Sequence, residues 1–233
     1  MRIAYGVVTV VDRVQTLLPK TLDSLGAAGF DKPRLFVDCD TFDDHLKYEG
    51  FDLDIVFHYP RLRTMGNWIT ALWELYIRNP RADRYLLFED DIIAYRNLKE
   101  YLEKTPYPQR GYCNLYTFPE NQKLAKGNIG WVESNQKGYG ALGLMFDHAA
   151  LQIVLGSKLL ILKPIHPTAG HKRHDGAICV TMQSAGFKEY IHNPSLLQHS
   201  GRTVSTLGKN KHPLASSFRG ADYDALELLG EKK

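Results

Sequence analysis

The order of apolar runs in this chain predicts an α/β fold in which a mixed, mostly parallel central sheet is flanked by helices. Three observations carry that expectation. Strand-like runs alternate with stretches of helical periodicity through the first part of the chain, polar or acidic residues recur where successive strands end, and no linker, internal repeat or low-complexity segment divides the 233 residues. Alternation of this kind places helices over a parallel sheet, and strands covered on both faces read as continuous apolar runs.

Residues 3–11 form the first such run, and residues 16–28 follow with Leu17, Leu18, Leu22 and Leu25 on one helical stripe that Gly29 ends. Residues 34–37 read as a second strand and 53–59 as a short third. Residues 65–77 carry Trp68, Leu72, Trp73 and Leu75 at helical spacing, and the apolar run through Leu87 and Phe88 then stops in Glu89-Asp90-Asp91 before a helix-forming stretch over 97–102. In the second half, residues 111–117, 130–133, 141–146 and 189–192 read as strands, and 148–155 and 175–185 as helices. Residues 202–211, rich in Gly, Ser, Thr and Lys, read as a loop.

Composition narrows the chemistry. A hydrophobic content of 44% suffices for a substantial core, so one domain over 1–233 is expected. Cys39, Cys113 and Cys179 are odd in number and widely spaced, which argues against a disulfide framework or a zinc site and for reduced thiols in a cytoplasmic protein. The apolar run at the N-terminus ends at Asp12-Arg13, too short for a membrane span, so no membrane partner is expected. A net charge of +3 suits anionic ligands without constituting a nucleic-acid footprint. There is no Gly-x-Gly-x-x-Gly after the first strand, no Gly-x-x-x-x-Gly-Lys-Ser/Thr and no Gly-x-Ser-x-Gly, so a dinucleotide fold, a P-loop and a serine-hydrolase elbow are all unsupported.

The acidic triplet carries the most chemistry. Charge at the carboxyl edge of a sheet lies where open α/β folds bind ligands. Hard cations such as Mn²⁺ or Mg²⁺ take one or two carboxylates and complete their shells with water and phosphate oxygens, so a short acidic cluster points to a phosphorylated substrate. A solvated acidic turn is the bland alternative. Thr9 and Arg13 after the first strand and Asp38 after the second fall on the same edge. Asp175 stands where a polar segment meets an amphipathic helix, a position that suits a simple helix cap and equally a held carboxylate. Around Tyr139-Gly140, Gly138 and Gly140 permit close backbone approach to a ligand. Two stretches without acids flank this centre, Lys158 to His174 with Lys163, Lys172 and Arg173, and Arg202 to Arg219 with Lys209 and Lys211, leaving out Asp175 itself.

Taken together, these pieces resemble the GT-A class of nucleotide-sugar-dependent glycosyltransferases. Thr9 and Arg13 lead into Thr21-Leu22-Asp23-Ser24-Leu25, Asp38 follows the second strand, a helix opens with Gly66-Asn67-Trp68, and Leu87-Phe88-Glu89-Asp90-Asp91 stands where that class carries its Asp-x-Asp-like metal motif. Asn193-Pro194-Ser195-Leu196-Leu197-Gln198-His199-Ser200-Gly201 is similar to the Pro-Ser-Leu-x-Gln-His stretch of branching N-acetylglucosaminyltransferases.

The resemblance implies a nucleotide-sugar-binding half over 1–92, an acceptor-binding half over 93–200 and a tail over 201–233. It implies Mn²⁺ or Mg²⁺ on Asp91 and His199, and a nucleoside diphosphate sugar, a UDP-sugar in the first instance, contacted by Thr9, Arg13, Asp38, Asn67, Glu89 and Asp90. Asp175 becomes the general base of an inverting transfer, with Tyr139, Gly140, Arg173 and His174 on the substrate side. The acceptor is a hydroxyl on a glycan, a protein or a hydroxymethylated base in DNA, which would have to be flipped out of a duplex. Two alternatives stay open: a non-catalytic module binding nucleic acid or carbohydrate, and a sugar-1-phosphate nucleotidyltransferase, whose Gly-rich signature Val7-Val8-Thr9-Val10-Val11 lacks.

Overall fold

The computed structural model describes residues 1–125, 127–162, 174–201 and 213–231. Expectations placed on Lys163, Lys172, Arg173, Arg202, Lys209 and Lys211 lie outside the described residues. The first apolar run forms β1 (Ile3–Val10), which pairs in parallel with β2 (Arg34–Asp38) on one side and β4 (Arg84–Glu89) on the other; β3 (Ile55–His58) continues the parallel set beyond β2. Val7, Leu35, Phe36, Val37, Leu86, Leu87 and Phe88 are buried on both faces, which is why these strands show no alternation of polar and apolar residues.

The crossovers are α1 (Leu18–Ala27) and α2 (Arg63–Arg78). Pro19 sits in the first turn of α1, where its missing N–H has no intrahelical partner to lose, and Gly29 just past the end takes φ +88°, a left-handed conformation that glycine adopts without strain. On α2, Trp68, Leu72 and Leu75 face the sheet, whereas Trp73 lies on the exposed side. After β4 come the short β5 (Ile92–Ala94) and α3 (Leu98–Lys104).

The second half extends the sheet from β4. Strand β6 (Gly111–Asn114) ends short of the expected 117, and the helical turn α4 (Pro119–Gln122) precedes β7 (Gly130–Glu133) and β8 (Gly143–Asp147). Helices α5 (His148–Leu155), α6 (Lys158–Leu162) and α7 (His174–Ser184) lead to β9 (Lys188–Asn193) and β10 (Leu197–His199). The sheet order is β3-β2-β1-β4-β8-β6-β9-β7, with antiparallel pairs at β4–β8, β6–β8 and β7–β9. Strand β10 pairs instead with β5 in a separate antiparallel ladder, His199 opposite Ile92. The sheet is therefore the mixed, mostly parallel one that the alternation predicts, with one apolar core on each face: Leu18, Leu25, Phe30 and Tyr101 on one, Trp68, Leu72, Phe146 and Met182 on the other.

The stretch expected as a tail is, over 213–231, packed onto the body. Phe218 stacks on the fully buried Tyr95 with ring centroids 4.7 Å apart, the Arg219 N–H donates to the Tyr95 hydroxyl at 2.9 Å, and Asn97 Nδ2 donates to Asp224 Oδ2 at 2.8 Å. Ala225 and Leu228 are buried beside α8 (Glu227–Gly230). No helix among the described residues is long and apolar enough to cross a membrane.

Removing the ring on which this segment docks tests its structural role. Tyr95→Ala should cost about 3–5 kcal/mol, the usual penalty for truncating a buried aromatic, measured by urea unfolding. A loss under about 1 kcal/mol, the range of surface substitutions, would mean that the segment contributes little.

Candidate active site

Strand β4 delivers its carboxylates to the interior of the carboxyl edge. Asp90 and Asp91 are 2% and 1% exposed, so the turn between β4 and β5 is far from a solvated acidic loop. Thr21 on α1 fixes that turn: its Oγ1 donates to the backbone carbonyl of Asp90 at 2.8 Å and accepts from the Ile92 N–H at 3.1 Å.

Buried carboxylates need compensation. The Thr9 hydroxyl donates to Asp90 Oδ2 at 2.6 Å, and Arg13, in the 3₁₀ turn that follows β1, donates to Asp90 Oδ1 while its Nη1 lies 3.6 Å from Asp91 Oδ2. Burial nevertheless pushes the Asp90 carboxyl up to about 6, against the pull of Arg13. Asp91 Oδ2 also lies 3.7 Å from His199 Nδ1, brought in by the β5–β10 ladder and the hydrogen bond from the Ser200 N–H to the Asp91 carbonyl. His199 is 6% exposed and sits edge-on to the Tyr116 ring.

Asp91 and His199 fit the expected cation. Two donors about 2.1 Å from one ion stand about 3–4 Å apart, and a carboxylate with an imidazole is a donor set that Mn²⁺ accepts. Among the described residues no group of three or more His, Cys, Asp or Glu gathers around one point. A pair such as Asp91 and His199 leaves positions for water and phosphate oxygens.

Asp175 stands in the first turn of α7. Its Oδ2 accepts from the Gly140 N–H at 3.0 Å and its Oδ1 from the Gly176 N–H at 2.8 Å. The Tyr139-Gly140 stretch singled out by its glycines thus touches the candidate base directly. Gly138 takes φ +62° and lies so close that a Cβ there would meet the Asp175 carbonyl oxygen at 2.6 Å. Tyr139 is half-buried and packs on Phe118, ring centroids 4.8 Å apart. The two halves of the site meet where His174, next to Asp175, brings Nε2 within 3.5 Å of Glu89 Oε1.

Three further residues expected at the ligand, Asn67, His174 and Asp38, are buried and contact other parts of the chain. Asn67 is 4% exposed: its Nδ2 donates to the carbonyls of Phe36 and Thr9, at 3.3 and 3.5 Å, and its Oδ1 meets His58 Nδ1 at 2.6 Å, which ties together the ends of β1, β2 and β3. His174 is 6% exposed and lies against Trp68, ring centroids 5.5 Å apart, beside Glu89. Asp38 accepts from the Leu62 N–H at 2.6 Å and pairs with Arg61 at 3.4 Å, holding the chain after β3, and burial pushes its carboxyl up. Arg173 lies outside the described residues. Asn114 and Glu189, which hold the turn beside Asp175, carry no sequence signal of their own; Thr21 stands in the Thr21-Leu22-Asp23-Ser24-Leu25 stretch quoted above without a role assigned to it. A concavity of about 620 Å³ lined by Arg2, Arg78, Arg81 and Lys99 opens at the amino edge of β1, away from this chemistry.

No protein-family model and no curated protein matches the sequence. Among solved structures, the mannosyltransferase PcManGT from Pyrobaculum calidifontis, in complex with GDP-Man and Mn²⁺, superposes with a TM-score of 0.55 and 13% identity, covering 89% of this chain and 58% of that one. A nucleotidyl transferase from Methanothermobacter gives 0.49 and 16%, over 82% and 87% of the two chains. The galactosyltransferase LgtC, in complex with donor and acceptor sugar analogs, gives 0.49 and 11%, over 98% and 96%. The chain shares with that mannosyltransferase its fold, a mixed, mostly parallel α/β sheet flanked by helices.

The Arg13 contact has a pH signature. A buried carboxyl raised above its unfolded value weakens the fold as pH climbs through the interval between the two, here from about 4 to about 6. Arg13→Met removes the compensating cation, so it should cost about 3–5 kcal/mol at pH 7.5 and distinctly less at pH 5, where Asp90 takes up a proton. Urea unfolding at both pH values checks this; an equal loss at both would show that Arg13 acts only through packing.

Proposed function

We propose that the protein is a metal-dependent, inverting glycosyltransferase that moves a sugar from a nucleoside diphosphate sugar to an acceptor hydroxyl. The observation that carries this reading is the meeting of Asp91 and His199, from elements far apart in sequence, at 3.7 Å on the carboxyl edge of the sheet. Asp91 and His199 would hold a divalent cation, which when bound would supply charge stabilisation to a departing diphosphate. Arg13, steered by Asp90 to a point 3.6 Å from Asp91, adds a second positive group where negative charge develops as the sugar leaves.

Asp175 takes the acceptor proton. Each of its oxygens is held by one backbone N–H, at 3.0 and 2.8 Å, and a carboxylate oxygen has a further lone pair with which to accept a proton. One carboxylate on the leaving-group side and another on the acceptor side is the pairing a single displacement requires. Phe118 and Tyr139 offer the apolar face on which a sugar ring stacks. The same fold serves sugar-1-phosphate nucleotidyltransferases, which would consume a nucleoside triphosphate and release pyrophosphate instead.

Donor binding should therefore require Mn²⁺. In a thermal-shift screen of nucleoside diphosphate sugars, a matching donor should raise the melting point only with Mn²⁺ present, since a ligand of the native state alone stabilises it. Asp91→Asn should abolish the shift and His199→Ala should reduce it. A full shift in excess chelator would contradict the metal site, and stabilisation by a nucleoside triphosphate with pyrophosphate release would favour the nucleotidyltransferase.

Asp175→Asn should separate binding from transfer. The donor should bind Asp175→Asn as it binds the wild type, while transfer falls roughly 10²-fold to 10⁴-fold, the usual contribution of general base catalysis. NMR of the product should show the anomeric configuration inverted. Transfer at the wild-type rate, or retention, would leave Asp175 as a helix cap.

A further inference from the structure

Beneath the 138–140 turn lies a polar network that neither the cation nor the donor uses. Asn114, fully buried at the end of β6, has two amide hydrogens and three acceptors in reach: the Gly140 carbonyl at 2.7 Å, the Tyr139 carbonyl at 3.2 Å and Glu189 Oε1 at 3.2 Å. Its own Oδ1 accepts from the Tyr116 N–H at 3.1 Å. Glu189, 1% exposed on β9, has its other oxygen on the Ser134 hydroxyl at 2.6 Å. Its backbone is clasped by Gln136, whose Oε1 accepts from the Glu189 N–H at 3.0 Å and whose Nε2 donates to the Glu189 carbonyl at 2.9 Å.

A buried carboxyl costs several kcal/mol of desolvation, and the hydrogen-bond donors on this one, Asn114 and Ser134, are neutral; burial pushes it up. Such a group persists where it holds something in place. What it holds is Asn114, and what Asn114 holds is Gly140, the residue whose N–H grips Asp175 Oδ2 at 3.0 Å. Gly140 is thereby fixed through both ends of its backbone: its carbonyl by Asn114 and its N–H by Asp175. With φ +74° and a Cβ that would meet the Tyr116 ring at 2.9 Å, it has little room to move.

We infer that Asn114, braced by Glu189, is a positioning residue for Asp175, setting where the carboxylate stands by fixing the turn that grips it. The inference rests on the reading of Asp175 as the base, but its geometric half can be read without turnover. Asn114→Asp puts a carboxylate against two carbonyls and Glu189, so the turn must shift. Angstrom-scale misplacement of a catalytic group costs up to about 10²-fold. The transfer kcat should fall roughly 10-fold to 100-fold with donor KM and Mn²⁺ dependence unchanged. Asn114→Asp/Glu189→Gln restores a hydrogen bond between the two side chains but not the bond to Gly140, so it should recover stability without recovering kcat.

The test combines steady-state kinetics with the Gly140 amide resonance, whose shift and exchange protection report its bond to Asp175. The amide should move in Asn114→Asp as it does in Asp175→Ala. If Asn114→Asp does not fold, Asn114→Ser, too short to reach the turn, takes its place. An unmoved amide overturns the inference whatever the rate does, as does a moved amide with unchanged kcat. Recovery of kcat in the double variant overturns it too, assigning Asn114 a purely structural role. A wild-type protein that transfers no sugar from any donor contradicts the proposed function instead, and the amide then decides whether Asn114 holds Asp175.

Discussion

Two adjacent carboxylates, Asp90 and Asp91, are buried at the end of a central strand, and much of the surrounding structure is arranged to make that tolerable. Taking an ion out of water costs several kcal/mol even after relaxation, so each must be met by donors or by a cation. Thr9 at the end of β1 and Arg13 in the following turn meet Asp90, while Arg13 and His199 approach Asp91 at 3.6 and 3.7 Å. Thr21 on α1 holds the turn that carries them. The register of β1 against β4, the seat of α1 and the small β5–β10 ladder are thereby coupled to a single point. The acidic turn is enclosed, with Arg13 and His199 facing Asp91.

How much of this is legible in the sequence follows from the range of the interactions. Strands β1 to β4 and helices α1 and α2 are local patterns: unbroken apolar runs and a 3.6-residue period survive without knowledge of partners. The three-residue strands β5 and β10 have no period to read, and they exist because they pair with each other. The segment 213–231 carries apolar residues such as Phe218 and Leu228, but it follows a polar loop and nothing local names their partners. What binds it is the stack of Phe218 on Tyr95 and polar bonds such as Asn97 to Asp224, pairings remote in sequence.

The site divides along the same line. The acidic triplet, Arg13, Asp175 and the Tyr139-Gly140 turn stand out as charges or glycines at the ends of patterned elements, and the fold brings them to one edge. Asn67 stands at a comparable place, and its amide donates to backbone carbonyls, because strand ends leave carbonyls that need donors. A polar side chain at the carboxyl edge has two uses, on ligand or on backbone, and its type does not tell them apart. Asn114 and Glu189 are invisible for the complementary reason: their partners, the 139–140 backbone, Ser134, Gln136 and each other, are remote in sequence, so nothing local marks them.

The central claim is that Asp91 and His199 together hold a cation that also meets a nucleoside diphosphate. Pulsed electron paramagnetic resonance of the Mn²⁺ complex formed with a nucleoside diphosphate measures both halves at once, through nitrogen and phosphorus hyperfine couplings. The account predicts a ¹⁴N coupling and a ³¹P coupling on the same ion, the former lost in His199→Ala and both lost in Asp91→Asn. A ³¹P coupling unaffected by either substitution, or a Mn²⁺ signal no different from that of the nucleotide alone in solution, would contradict it.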